Sequence, residues 1–160
     1  MNQPKQIDTR KEWISSVEGV YNSIKIIGWG LPEDEKYRKL IVECLLKLPL
    51  EIREKVLDEV NFVMATDSTG GHYFKIDVGN PTKTSKVKKL SICVHEIHMI
   101  LLNFSVMKNK SKFFIMRTIA HEVAHFILEH EGATTDPNVE RKADDLCEKW
   151  GFGRVYNSYQ

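Results

Sequence analysis

The chain has 160 residues, which predicts one domain with a core of its own and leaves little room for a second fold. Apolar residues make up 42% and charged residues 28%, the composition of a soluble globular chain rather than a disordered or membrane-embedded one. Lys and Arg number 23 against 22 Asp and Glu, so the formal charge of +1 excludes a nucleic-acid binder that works through bulk charge.

Residues 1–8 read as a loose N-terminus. Thr9 and Glu12 have capping-box spacing, and Trp13, Ile14, Val17, Val20, Tyr21 and Ile24 recur at helical period. This predicts a single first helix, ended by Gly28 and Gly30. A second helix is predicted from about Pro32 to Leu46, with Leu40, Ile41, Cys44 and Leu45 turned inward. Pro49 opens a third, short helix carrying Ile52, Val56 and Leu57.

The middle of the chain changes character. Residues 60–66 read as a strand, Ser68-Thr69-Gly70-Gly71 as a turn, and Tyr73, Phe74 and Ile76 as part of a second strand closed by Gly79-Asn80-Pro81. Residues 89–104 supply one bent strand or two short ones. Residues 111–130 form the strongest helical pattern, with Gly132 suited to its C-terminal cap. Asp136 caps a last helix with Pro137 in its first turn, running to about Trp150 and stopping at Gly151. Helices, a small mostly antiparallel sheet, then helices again make an α+β fold. The tryptophans Trp13, Trp29 and Trp150 read as core or core-edge residues.

No apolar run approaches the roughly 20 residues that cross a bilayer. The polar opening Met1-Asn2-Gln3-Pro4-Lys5-Gln6 lacks the apolar stretch of a secretory signal. Cys44, Cys93 and Cys147 are odd in number and far apart, which predicts neither a disulfide framework nor a CxxC zinc site. The expected location is the cytoplasm. Lys83, Lys86, Lys88 and Lys89, echoed by Lys108, Lys110 and Lys112, read as a solvated strand flank rather than a nucleic-acid surface.

The chemistry is carried by His121-Glu122-Val123-Ala124-His125, an HExxH motif. On a helix its two histidines are separated by roughly 40° of rotation and one turn of rise, so both imidazoles can face one cation. Glu122 falls about 60° beyond His125 on the same side. Phe126, Val123, Ile127, Ala120 and Ala124 fill an arc of roughly 140° to 300° that seats the helix in the core. Catalytic zinc takes three protein ligands and reserves a position for water, so a third ligand is needed. Downstream, Glu140-Arg141-Lys142-Ala143-Asp144 places two carboxylates on one helix face. The first helix continues about six residues past His125, roughly 9 Å, and the second reaches Glu140 after about 5 Å. An antiparallel pair with so short a loop brings Glu140 near the histidines, held by an apolar stripe of Val139, Ala143, Leu146 and Trp150. Asp144 then suits the role of holding the other ring nitrogen of His121, as a carboxylate commonly does behind a metal-bound imidazole.

Two nearby patterns read differently. His95-Glu96-Ile97-His98 has the wrong spacing and lies in a strand, where residues three apart point to opposite faces. Cys147, one turn past Asp144, reads as a small buried apolar residue.

HExxH followed by ExxAD on a second helix resembles the gluzincin zinc metallopeptidases. The short chain and the order of its elements are most similar to ImmA/IrrE-type and minigluzincin-type peptidases. The resemblance covers residues 111–152 and thins out over 60–104. It implies one zincin-like domain over residues 1–160, with one Zn²⁺ held by His121, His125 and Glu140. It also implies Glu122 as general base and Asp144 as the partner of His121. Ala124 stands where ImmA/IrrE proteins often have Gly, and Asp144 where they often have Asn, which sets the chain nearer to general ExxAD peptidases. The expected activity is hydrolysis of a peptide bound as an extended strand along a sheet edge near Ile100 to Phe104. The other reading is a zinc-bound protein-interaction or regulatory module with little proteolysis. Tyr156, His130, His72 and Tyr73 are candidates by residue type for stabilising an oxyanion, and each reads first as a packing or surface residue.

Overall fold

A computed structural model describes residues 9–27, 34–65, 71–78, 95–130 and 136–155. The expectations for residues 1–8, Gly28 to Pro32, Ser68 to Gly70, Gly79 to Pro81, the lysines at 83–89, Cys93, Gly132 and Tyr156 lie outside them. The described residues form an α+β fold of seven helices and one four-stranded sheet. In chain order these are α1 (Thr9–Trp13), α2 (Val17–Ser23), β1 (Lys25–Ile27), α3 (Asp34–Lys47), α4 (Leu50–Glu59), β2 (Val60–Ala65), β3 (Gly71–Val78), β4 (His95–Asn103), α5 (Phe104–Met107), α6 (Lys112–Ile127) and α7 (Pro137–Lys149). No described helix is long and apolar enough to cross a membrane.

The single N-terminal helix is corrected to two. Serine side chains compete with the helical backbone for its hydrogen bonds. Ser15 Oγ donates to the Lys11 carbonyl at 2.7 Å, and Ser16 Oγ donates to the Trp13 carbonyl at 2.8 Å. Ser16 Oγ also accepts from the Gly19 amide at 2.9 Å, capping α2. The junction is so tight that a Cβ on Gly19 would fall 1.8 Å from the Trp13 carbonyl oxygen. The break turns Trp13 out to 45% exposure, against the expected core position, while Ile14, Val20 and Ile24 stay buried. Trp150 is half-buried against the core. After α2 the chain does not continue to the glycines as helix. Ile24 is already extended, and Lys25–Ile27 pairs with Asn61–Val63 as a strand.

The sheet order is β1-β2-β4-β3. β1 with β2 and β2 with β4 are parallel, and only β3 with β4 is antiparallel. The expected mostly antiparallel sheet is therefore wrong. Alternation of apolar residues reports the pleat and says nothing of direction. The β1–β2 connection runs through α3 and α4, the long crossover that parallel neighbours require. β4 is one continuous strand inserted between β2 and β3, so Ile100 to Asn103 lie inside the sheet and not on its edge. Among the described residues, the edge beside α6 is β3.

Phe62, Ile100 and Tyr73 align across three strands, as do Met64, Leu102 and Gly71, and the five side chains other than glycine are buried. α6 packs against β3 and β4, with α3 and α7 along its other flanks. Ser111 caps α6 by accepting from the Phe114 amide at 3.2 Å. From Thr118 to Phe126 every residue of this helix is buried. α3 contributes Tyr37, Leu40, Ile41, Cys44 and Leu45 to the same core. Arg53 of α4 is 8% exposed and donates to the carbonyls of Leu45, Ile14, Leu46 and Leu48 at 2.8 to 3.1 Å. It thereby satisfies orphan carbonyls at the end of α3 and ties them to the α1–α2 junction.

Candidate metal centre

His121 and His125 stand one turn apart on α6, with ring centroids 4.7 Å apart and planes at 81°. Their Nε2 atoms are 3.0 Å from each other. Glu140, in the first turn of α7, brings Oε2 to 3.0 Å from Nε2 of His121 and Oε1 to 3.5 Å from Nε2 of His125. The three residues could hold a metal ion, since one ligand atom from each lies within 4.8 Å of the others. Donors bound at 2.0–2.2 Å in a tetrahedron lie about 3.3–3.6 Å apart, close to the spacing found.

The protons support the same use. His121 Nδ1 is 2.9 Å from Oδ1 of Asp144. A carboxylate only accepts, so Nδ1 carries the hydrogen, and in the neutral ring Nε2 is a bare lone pair. That lone pair faces a carboxylate oxygen and a second imidazole nitrogen. Such a group of acceptors in a buried place needs a cation or a proton between them. With a proton in that role, burial opposes the charge on His121, but hydrogen bonds to Asp144, Cys147 and Glu140 outweigh it and push it up to about 12. Burial likewise opposes charge on Glu140, but His121 and His125 hold its carboxyl down at about 2.

Asp144 has no exposed surface, and its Oδ1 also accepts from the Val155 amide at 2.9 Å. The chain after α7 thus helps fix the carboxylate behind His121. α7 itself begins where expected, with Asp136 accepting from the Asn138 amide at 2.9 Å and Pro137 at its first position. Cys147 is buried close to His121, and burial pushes its thiol up.

Glu122 is 6% exposed. Burial pushes its carboxyl up, while the charges of His121, His125 and His72 pull it back. It lies against the first residue of the edge strand. A Cβ built on Gly71 would sit 3.0 Å from Glu122 Cγ and 3.1 Å from Oε1. Gly71 therefore opens β3, paired with Leu102, where the sequence suggested only a turn. Its role depends on a neighbour distant in sequence, and no local signal marks it.

The oxyanion candidates scatter. Tyr73 is buried, and its hydroxyl is 2.8 Å from His98 Nδ1, with Phe126 edge-on to both rings. His98 Nε2 is 3.9 Å from a carboxylate oxygen of each of Glu59 and Glu96. His130 contacts Nδ1 of His125, the nitrogen turned away from the cluster, at 3.3 Å. Burial and the charge of His125 lower its proton affinity. Of the four, His72 is the described residue whose charge reaches Glu122.

All five residues singled out by the motifs, His121, Glu122, His125, Glu140 and Asp144, thus meet in one place. Compared with protein-family models, with curated proteins and with solved structures, the chain matches none.

Proposed function

We propose that the chain is a zinc-dependent metallopeptidase. The observation that carries this reading is a three-donor group, His121, His125 and Glu140, with the buried carboxylate of Glu122 beside it. Two imidazoles and one carboxylate are a donor set of catalytic zinc, whereas structural zinc is closed by four protein ligands. One ion per chain would be held by Nε2 of both histidines and by the Glu140 carboxylate. When bound, zinc supplies a Lewis acid that polarises a carbonyl and acidifies water.

The chain's own residues do the rest. Glu122 accepts a proton from the attacking water and passes it to the leaving amine. Its raised proton affinity suits that exchange. Asp144 keeps His121 in the tautomer that presents Nε2. Among the described residues β3 is a sheet edge, with its first residue, Gly71, beside Glu122, and an extended peptide would pair along it through main-chain hydrogen bonds. This favours flexible segments as substrates. Buried free thiols at Cys44 and Cys147 suit a reducing compartment such as the cytoplasm.

Hydrolysis of a quenched-fluorescent peptide library by the zinc-loaded protein tests the reading, with Glu122→Gln as control. Cleavage by the wild type that the variant loses supports a peptidase. Equal zinc binding by both proteins with no cleavage by either would leave a zinc-bound interaction module.

A further inference from the structure

α6 ends earlier than the sequence suggested, at Ile127, in a turn built without glycine. The Glu129 amide donates to the Phe126 carbonyl at 3.2 Å, and the His130 amide donates to the His125 carbonyl at 2.9 Å. These nested bonds form a Schellman cap, which needs a left-handed residue at its centre. Glycine usually takes that place. Here Glu129 does, at φ 56°, the single non-glycine with positive φ among the described residues. Strained backbone of this kind persists where the surroundings fix it, often beside a functional group.

The cap folds the chain back onto the second histidine of the motif. His130 satisfies the carbonyl of His125 with its amide and sets its own ring against the His125 ring. The centroids are 5.5 Å apart and the Nδ1 atoms 3.3 Å apart. His125 turns Nε2 to His121 and Glu140, so as a ligand it must carry its hydrogen on Nδ1. That hydrogen points to His130.

We propose that His130 is a positioning residue whose Nδ1 accepts the Nδ1 hydrogen of His125 and so fixes the ring that presents Nε2 to the metal. The inference rests on the metal-site reading above. It gives each histidine of the motif its own acceptor. Asp144 on α7 serves His121, and the helix's own C-terminal turn serves His125. The strain at Glu129 is then the cost of aiming an imidazole at a ligand one turn earlier.

The test is zinc affinity by chelator competition for wild type, His130→Ala, His130→Phe and His130→Gln. Phe keeps the packing and removes the acceptor, so it decides the matter if Ala does not fold. Ala and Phe are expected to bind zinc about 10–100-fold more weakly, and Gln, which offers a carbonyl acceptor, to recover most of the loss. In proton spectra of the zinc-loaded protein, the His125 Nδ1 hydrogen should exchange slowly in wild type and Gln and be lost to solvent in Ala and Phe. Equal affinity and equal exchange across all four proteins would overturn the role of His130 and leave the metal site standing. Failure of the wild type to bind any divalent ion would overturn both.

Discussion

Asp144 lies wholly inside the protein and holds Nδ1 of His121 at 2.9 Å. The same oxygen accepts the Val155 amide, so one carboxylate serves His121 and the chain that follows α7. Asp144→Ala removes both bonds and leaves a half-buried amide and a buried imidazole nitrogen without this partner. The expected result is metal affinity lower by about 10–100-fold and stability lower by about 1–3 kcal/mol. Asp144→Asn retains an acceptor oxygen and should lose less of both. Chelator competition and thermal melts of the two variants measure this.

The protonated centre gives the metal-free protein a distinct pH profile. His121 is raised from 6.5 to about 12, with burial opposing and Asp144, Cys147 and Glu140 prevailing. Its contribution is complete below 6.5 and is lost as pH rises toward 12. Glu140 is lowered from 4.5 to about 2, against burial, by His121 and His125. Its contribution is complete above 4.5 and is lost as pH falls toward 2. Glu122, raised by burial, contributes fully below 4.5 and loses that contribution as pH rises through its raised value, which draws the optimum toward the acid end. Thermal melts in the presence of chelator should therefore peak between about pH 4.5 and 6.5 and decline on either side. Zinc takes the place of the proton, so its affinity should rise with pH and its binding should release protons. A metal-free melting temperature that climbs from pH 6.5 to 9 would contradict this arrangement.

A substitution at Gly71 tests the proposed general base apart from the proposed metal site. Its missing Cβ leaves room for Glu122, and Gly71→Ala would place carbon 3.0–3.3 Å from that side chain. The buried carboxylate has to shift by a few tenths of an ångström. Zinc stoichiometry should stay at the wild-type value, while peptide hydrolysis falls about 10–100-fold, the scale for a misplaced general base. Unchanged turnover in a folded Gly71→Ala protein would remove Gly71 from the account.

Arg53 tests the scaffold apart from the site. Its guanidinium joins the end of α3 to Ile14 through four carbonyls. Arg53→Leu leaves them short of donors and should cost about 2–4 kcal/mol of unfolding free energy. Zinc affinity per folded molecule should not change. Urea denaturation and metal titration of one preparation check both parts.

Local signals carried much of this structure. Asp136 and Pro137 mark the start of α7, because capping is settled within a few residues. Helical period put His121, Glu122 and His125 on one face and Glu140 opposite them, because a helix converts spacing into direction. Relationships made between distant segments were not legible. The apolar stripe from Ile14 to Ile24 runs through the break at Ser16, and two serine hydroxyls outweigh it. β1 is three residues long, below any periodic signal. Strand direction, the edge position of β3 and the approach of Gly71 to Glu122 are set by tertiary pairing. The cap expected at Gly132 is made by Glu129 instead, since a strained φ can be held by its surroundings.

The proposed function stands or falls on whether His121, His125 and Glu140 hold one zinc ion. Elemental analysis of protein purified without added metal, beside Glu140→Ala, tests it most directly. About one zinc per chain is expected in the wild type, with a sharp loss in the variant. A wild type that carries no zinc and takes up none on reconstitution would contradict it.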